Sequence, residues 1–178
     1  IKETGGASFD SHIQQLDADA LATVRKQLLD NIRAGKTNLE SGGIGLEKLV
    51  TELLHTEGYS ARVVSKKAFE GSADADIEAF REDRFISNKL LIQVKHHTGN
   101  TGQHALRQLQ QLDDEDGTQK WLITTGDVQQ ELVEEAEGQG IGVMDGAEFA
   151  EWVVERASQL SLVSLNRLGL STSPSLLI

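Results

Sequence analysis

Apolar positions recurring every three or four residues open the readable part of the chain. Leu21, Val24, Leu28 and Ile32 keep that spacing, which predicts a helix over residues 18–34 with Asp17 as N-cap and Gly35 as stop. Residues 1–16, with Gly5, Gly6 and Ser8, show no such period and read as a loose arm. A polar connection through Ser41, Gly42 and Gly43 leads to a second stripe of Leu46, Leu49, Val50, Leu53 and Leu54. That stripe predicts a helix over residues 44–57, closed by Gly58 in the left-handed position that suits glycine.

The period then drops to two. Tyr59, Ala61 and Val63 alternate with Ser60 and Arg62, giving a strand over residues 59–65. A loop over 66–72 leads to a second strand over 74–81, and a turn at 84–88 to a third over 89–95. So short a connection makes the second and third strands antiparallel neighbours. After a loop over 96–102, Leu106 and Leu109 mark a helix over 103–112, followed by an acidic turn over 113–117. Trp121, Leu122 and Ile123 form the apolar run of a buried parallel strand over 121–125. A helix over 127–137, a strand over 141–144 and a helix over 147–160, buried through Phe149, Val153 and Ala157, complete the pattern. The fold class is therefore α/β: a mixed five-stranded sheet flanked by helices, antiparallel on one side and built from crossovers on the other. It carries an extra N-terminal helix and an apolar C-terminal tail. Leu162, Val163, Leu165, Leu168 and Leu170 in that tail must pack on this domain or on a partner. The divisions are residues 1–40 as arm and helix, 41–160 as the main domain and 161–178 as tail.

At 178 residues and 38% hydrophobic content the chain suits one domain with a full core. It lacks an apolar run long enough to span a membrane. The absence of cysteine removes disulfides and thiolate metal sites and fits a reducing, cytoplasmic setting. The chain opens at Ile1 without an initiator Met, which reads as a piece of a longer protein. A net charge of −11 opposes a polyanion partner until its distribution is considered. Between Arg62 and Lys95 seven bases face six acids, whereas between Asp113 and Glu155 thirteen acids face only Lys120. A weakly held polyanion fits the balanced region; a strong electrostatic clamp does not.

The chemistry concentrates in that balanced region. Strand alternation puts Gln93 and Lys95 on one face and Ile92 and Val94 on the other, with Asp76 near the start of the neighbouring strand. A carboxylate, an amide and an amine thus converge at a sheet edge. The plain alternative is a polar pair that protects an edge strand from aggregation. Glu47 borders the apolar stripe of its helix and, read alone, is a solvated flank residue. Asp74 shares a face with Asp76 and reads as a second ligand or a solvated loop acid. Lys66 and Lys67 read equally as phosphate contacts or surface charges, and Gly71 lets their loop approach the site closely. His96, His97 and His104 fall within nine residues, but their spacing matches no usual zinc pattern; they read as phosphate contacts or solvated rings. No glycine-rich phosphate loop is present, which removes a nucleotide-binding domain.

Glu47 on a helix, Gly58-Tyr59 leading into a strand, Asp76 in Asp-Ile-Glu, and Gln93-Val94-Lys95 together resemble the Mrr-like restriction endonucleases. These are a branch of the PD-(D/E)xK nucleases in which Gln replaces the middle acid. Trp121-Leu122-Ile123-Thr124-Thr125, Gly140-Ile141-Gly142-Val143 and Asp145-Gly146 resemble that family's closing strands, so the likeness covers residues 44–155. It implies a restriction-endonuclease-like fold and a Mg²⁺-dependent DNA endonuclease, with Mn²⁺ as a substitute. Asp76, Gln93, the Val94 carbonyl and Glu47 are the implied metal ligands, and Lys95 the implied helper at the attacking water and phosphate. The resemblance also implies double-stranded DNA as partner, a homodimer to cut both strands, and a separate recognition domain. A silent nuclease-fold module for DNA binding or assembly is the alternative.

Overall fold

The computed structural model describes residues 6–64, 75–85, 87–112 and 117–171, with side chains from residue 14 onward. Lys66, Lys67, Gly71 and Asp74 lie outside the described residues. The elements are α1 (Gly6–Arg33), α2 (Ile44–Thr56), β1 (Ser60–Val63), β2 (Ile77–Glu82), β3 (Ser87–Lys95) and α3 (Gln103–Gln110). They continue with β4 (Thr118–Thr124), α4 (Gln130–Glu137), β5 (Ile141–Met144), α5 (Gly146–Arg156), a 3-10 turn (Ala157–Gln159) and α6 (Leu162–Leu168).

The five strands lie in the order β1-β2-β3-β4-β5. β1–β2 and β2–β3 pair antiparallel, while β3–β4 and β4–β5 pair parallel through crossovers that contain α3 and α4. This is the mixed α/β sheet that the hydrophobic pattern implies. β3 is its central strand, and Leu90, Leu91, Ile92 and Gln93 are all buried there, as a strand covered on both faces requires. The expectation of an edge strand is therefore corrected: β3 is paired along both sides as far as Ile92, and Gln93 and Lys95 continue it beside Leu122 and Thr124 of β4. The aggregation-guarding reading of that pair falls with it.

Two apolar layers sandwich the sheet. On one face Leu28 and Ile32 of α1, the α2 leucines, Phe149 and Val153 of α5, and Leu165 and Leu168 of α6 cover Ile77, Ile92 and Ile123. On the other, Leu106 and Leu109 of α3 and Leu132 and Ala136 of α4 cover Leu122 and Ile141. The apolar tail thus packs on its own domain through α6, whose N-cap Ser161 accepts the Ser164 N–H at 3.2 Å.

Helix α1 begins at Gly6 rather than after Asp17. Asp17 is an exposed residue inside the helix, not its cap. Residues 14–20 are solvated, and bonds such as Gln15 Nε2 to Asp19 Oδ1, 2.9 Å, follow the helical spacing without an apolar stripe. Gly58 takes the expected left-handed φ of 84° after α2, and Asp145 and Glu148 form a reciprocal capping box at the start of α5.

Candidate active site

Asp76 sits one residue before β2 and is 4% exposed. Its backbone is held on both sides: its N–H donates to the Ile92 carbonyl and its carbonyl accepts the Val64 N–H, each at 2.9 Å. Its carboxylate reaches across to β3, where Oδ2 accepts the Val94 N–H at 2.8 Å. A side-chain oxygen thereby takes a strand N–H, which fixes the carboxylate against the ladder.

Gln93 is 5% exposed on the α3 face of the same strand. Its Nε2 donates to Gln108 Oε1 of α3 at 3.0 Å. Its Oε1 is buried and has no hydrogen-bond partner among the described residues. Such an orphan costs about 1–3 kcal/mol and calls for an explanation in terms of what it faces. Hard oxygen donors, a carboxylate on Asp76 and an amide oxygen on Gln93, are the chemistry that Mg²⁺ and Mn²⁺ prefer. The residues present therefore fit such an ion. Among the described residues no group of three His, Asp or Glu side chains is arranged to hold a metal, so an ion here would depend on amide and backbone oxygens as well as Asp76.

Lys95 is half-buried at the end of β3, two residues beyond Gln93, and its carbonyl accepts the Thr125 N–H at 3.0 Å. The loop that follows is tightly bonded. His97 N–H donates to Thr125 Oγ1 at 3.0 Å, and that hydroxyl donates back to the His97 carbonyl at 2.9 Å. The buried Thr101 and Thr124 hydroxyls pair at 2.8 Å. The His96 ring lies 3.1 Å from the Ile32 carbonyl and His97 Nδ1 3.2 Å from Thr101 Oγ1, while His104 is exposed. Arg33, at the end of α1, donates Nε to the Thr125 carbonyl at 2.6 Å and Nη2 to Asp127 Oδ1 at 2.7 Å. A Cβ on Gly126 would stand 2.4 Å from the Gly99 carbonyl, so these two loops meet at a distance only glycine allows.

Glu47 lies half-buried in the first turn of α2, its N–H bonded to the Gly43 carbonyl at 3.0 Å. Beside that turn is a cleft of about 200 Å³, lined by Leu39, Gly43 and Leu46, by Ile32 and by His96. Direct bonds thus join Asp76, Val94 and, through its strand, Gln93. Glu47 stands on α2, whose first turn lies beside a cleft that His96, the residue after Lys95, also lines. Sequence reasoning passed over Gln108 and Arg33. Gln108 sits in Gln-Leu-Gln-Gln-Leu, where glutamines look like any solvated helix flank, and Arg33 meets Thr125 across 92 residues.

A family model described as restriction endonuclease, the Mrr catalytic domain, matches residues 39–153. The solved structure of the MspJI restriction endonuclease in complex with a 27-mer oligonucleotide is similar at a TM-score of 0.42 and 17% identity. That likeness covers 76% of this chain but 30% of the MspJI chain. No curated protein matches the sequence. The family match spans more than half of the chain and encloses β1 to β5, Asp76, Gln93 and Lys95; the chain belongs to the restriction endonuclease family.

Proposed function

We propose that this chain is the cleavage module of a Mg²⁺-dependent DNA endonuclease, acting on double-stranded DNA within a restriction system. The observation that carries the reading is the buried Oε1 of Gln93, without a hydrogen-bond partner among the described residues, on a strand whose next residue, Val94, donates its N–H to the Asp76 carboxylate. Asp76 and Gln93 would hold the ion, with the Val94 carbonyl adding a third oxygen and Glu47 reaching it directly or through water. A bound Mg²⁺ or Mn²⁺ supplies positive charge at the scissile phosphate and lowers the pKa of a coordinated water. Lys95 is suited to offsetting phosphate charge and holding the attacking water. His96, His97, Lys66 and Lys67 are the proposed phosphate contacts outside the centre. Both histidine rings would have to serve that role while bonded to Ile32 and Thr101.

Net charge of −11 leaves little long-range attraction for DNA. A separate recognition domain and a homodimer, which brings one centre to each strand, are part of the same proposal, as is a cytoplasmic setting. Among the described residues no helix is long and apolar enough to cross a membrane. Incubation with plasmid DNA and Mg²⁺, Mn²⁺ or chelator tests the reading, with Asp76→Ala and Lys95→Ala run alongside. Cleavage that needs metal and falls by about a thousandfold or more in both variants is expected, since each removes charge stabilisation from the reacting centre. Cleavage that survives chelator, or that Asp76→Ala retains, would overturn it. A protein that binds neither Mn²⁺ nor Mg²⁺ would instead be a silent module for DNA binding or assembly.

A further inference from the structure

We infer that Gln108 is a positioning residue that sets which end of the Gln93 amide faces the metal position. The inference rests on the metal reading above and goes one step outward from it. A primary amide has a donor end and an acceptor end of nearly the same shape. If Gln93 turned over, its NH₂ would replace Oε1, and a donor cannot ligate a cation. The strand does not make this choice, because pairing fixes only its backbone, Gln93 standing beside Leu122 of β4 and the next N–H, of Val94, going to Asp76 Oδ2. The choice is made from α3, where Gln108 Oε1 accepts the Gln93 Nε2 N–H at 3.0 Å and leaves Gln93 Oε1 buried and without a partner among the described residues. Helix α3 is a firm base for this, since Ala105, Leu106 and Leu109 around Gln108 are all buried in the second core.

The chemistry of position 108 makes a graded test. Glutamine can present either an oxygen or an NH₂, and Gln108 presents its oxygen to Gln93. Glutamate presents only oxygen, and methionine, of similar length, presents neither in comparable strength. Mn²⁺ affinity, measured by calorimetry on the metal-free protein, should fall by about 10- to 100-fold in Gln108→Met, as for other partners that orient a metal ligand. Gln108→Glu should match or exceed the wild type, with melting temperatures of all three alike. Wild-type Mn²⁺ affinity in Gln108→Met overturns the inference and leaves the metal site standing. A wild-type protein that binds no Mn²⁺ overturns the metal reading and this inference together. Should Gln108→Met fail to fold, the Gln93 side-chain NH₂ decides in the metal-free wild type. Slow hydrogen exchange of one Nε2 proton supports the bond to Gln108; both protons exchanging at the free-amide rate overturns it.

Discussion

Gln93 holds an unusual position for a residue without charge: a buried amide oxygen, unpartnered among the described residues, in the central strand of a sheet. Replacing it by glutamate adds a full negative charge beside Asp76 without changing length. Because ligand charge governs the affinity of oxygen-ligated divalent ions, Gln93→Glu should bind Mn²⁺ about tenfold more tightly. Calorimetry checks this, and unchanged affinity would mean that atom ε1 of residue 93 does not touch the ion. The placement of Gln93 and Lys95 on one strand, with Asp76 just before its antiparallel neighbour, was legible in the sequence because alternation and short connections mark those strands. The rank of their strand was not legible. Alternation in one strand carries no information about how many neighbours that strand has, so a central position was mistaken for an edge. Gln108 was invisible for a related reason: its meaning lies in the orientation of an amide on another element.

At the scale of elements, α1 is tied to the loops that leave β3 and β4. Its Leu28 and Ile32 are buried in the main core, and Arg25 pairs with Glu151 of α5 at 2.7 Å. Arg33 closes the contact by bonding the Thr125 carbonyl and Asp127 together. Arg33→Ala should therefore lower stability by about 1–3 kcal/mol, the usual cost of stranding a part-buried acceptor of a charged donor. A urea titration reads it as a shifted midpoint, with Arg33→Lys losing less. An unshifted midpoint in Arg33→Ala would show that the loops hold themselves. The buried half of α1 was legible from its leucine spacing. Its start was not, because an exposed Asp17 resembles a cap until the residues before it prove helical. The C-terminal tail was legible as apolar, but its destination depended on α2, more than a hundred residues earlier.

For the whole molecule, two carboxylates couple acidity to stability. Burial would raise the Glu52 carboxyl, but the Ser164 hydroxyl and Ser161 N–H donate to it, and the net shift is below its ordinary 4.5. At Glu57 burial is likewise outweighed, here by Arg156 at 2.7 Å and the Trp152 N–H at 2.9 Å. Both folded pKa values lie below the unfolded ones, so the folded state binds fewer protons in that range. The stability these groups contribute is complete above about pH 4.5 and is lost as pH falls through their depressed folded values. Urea midpoints at pH 7 and pH 3.5 should differ, and differ less in Glu57→Gln. An equal difference in that variant would remove Glu57 from the account.

The same ties have a consequence in time. Glu52 meets Ser164, Glu57 meets Arg156 and Glu40 meets Arg167, so α2 is closed by residues that leave the ribosome long after it. The leucines of α2 belong to one core cluster with Leu165, Leu168 and Leu170. A nascent chain can pair β2 with β3 and lay down the strands that carry Asp76 and Gln93, yet its first helices keep an uncovered apolar face until the last helix arrives. Completion of this domain thus waits for α6 to emerge, and the interval before it is when these helices are most exposed to aggregation and to chaperones.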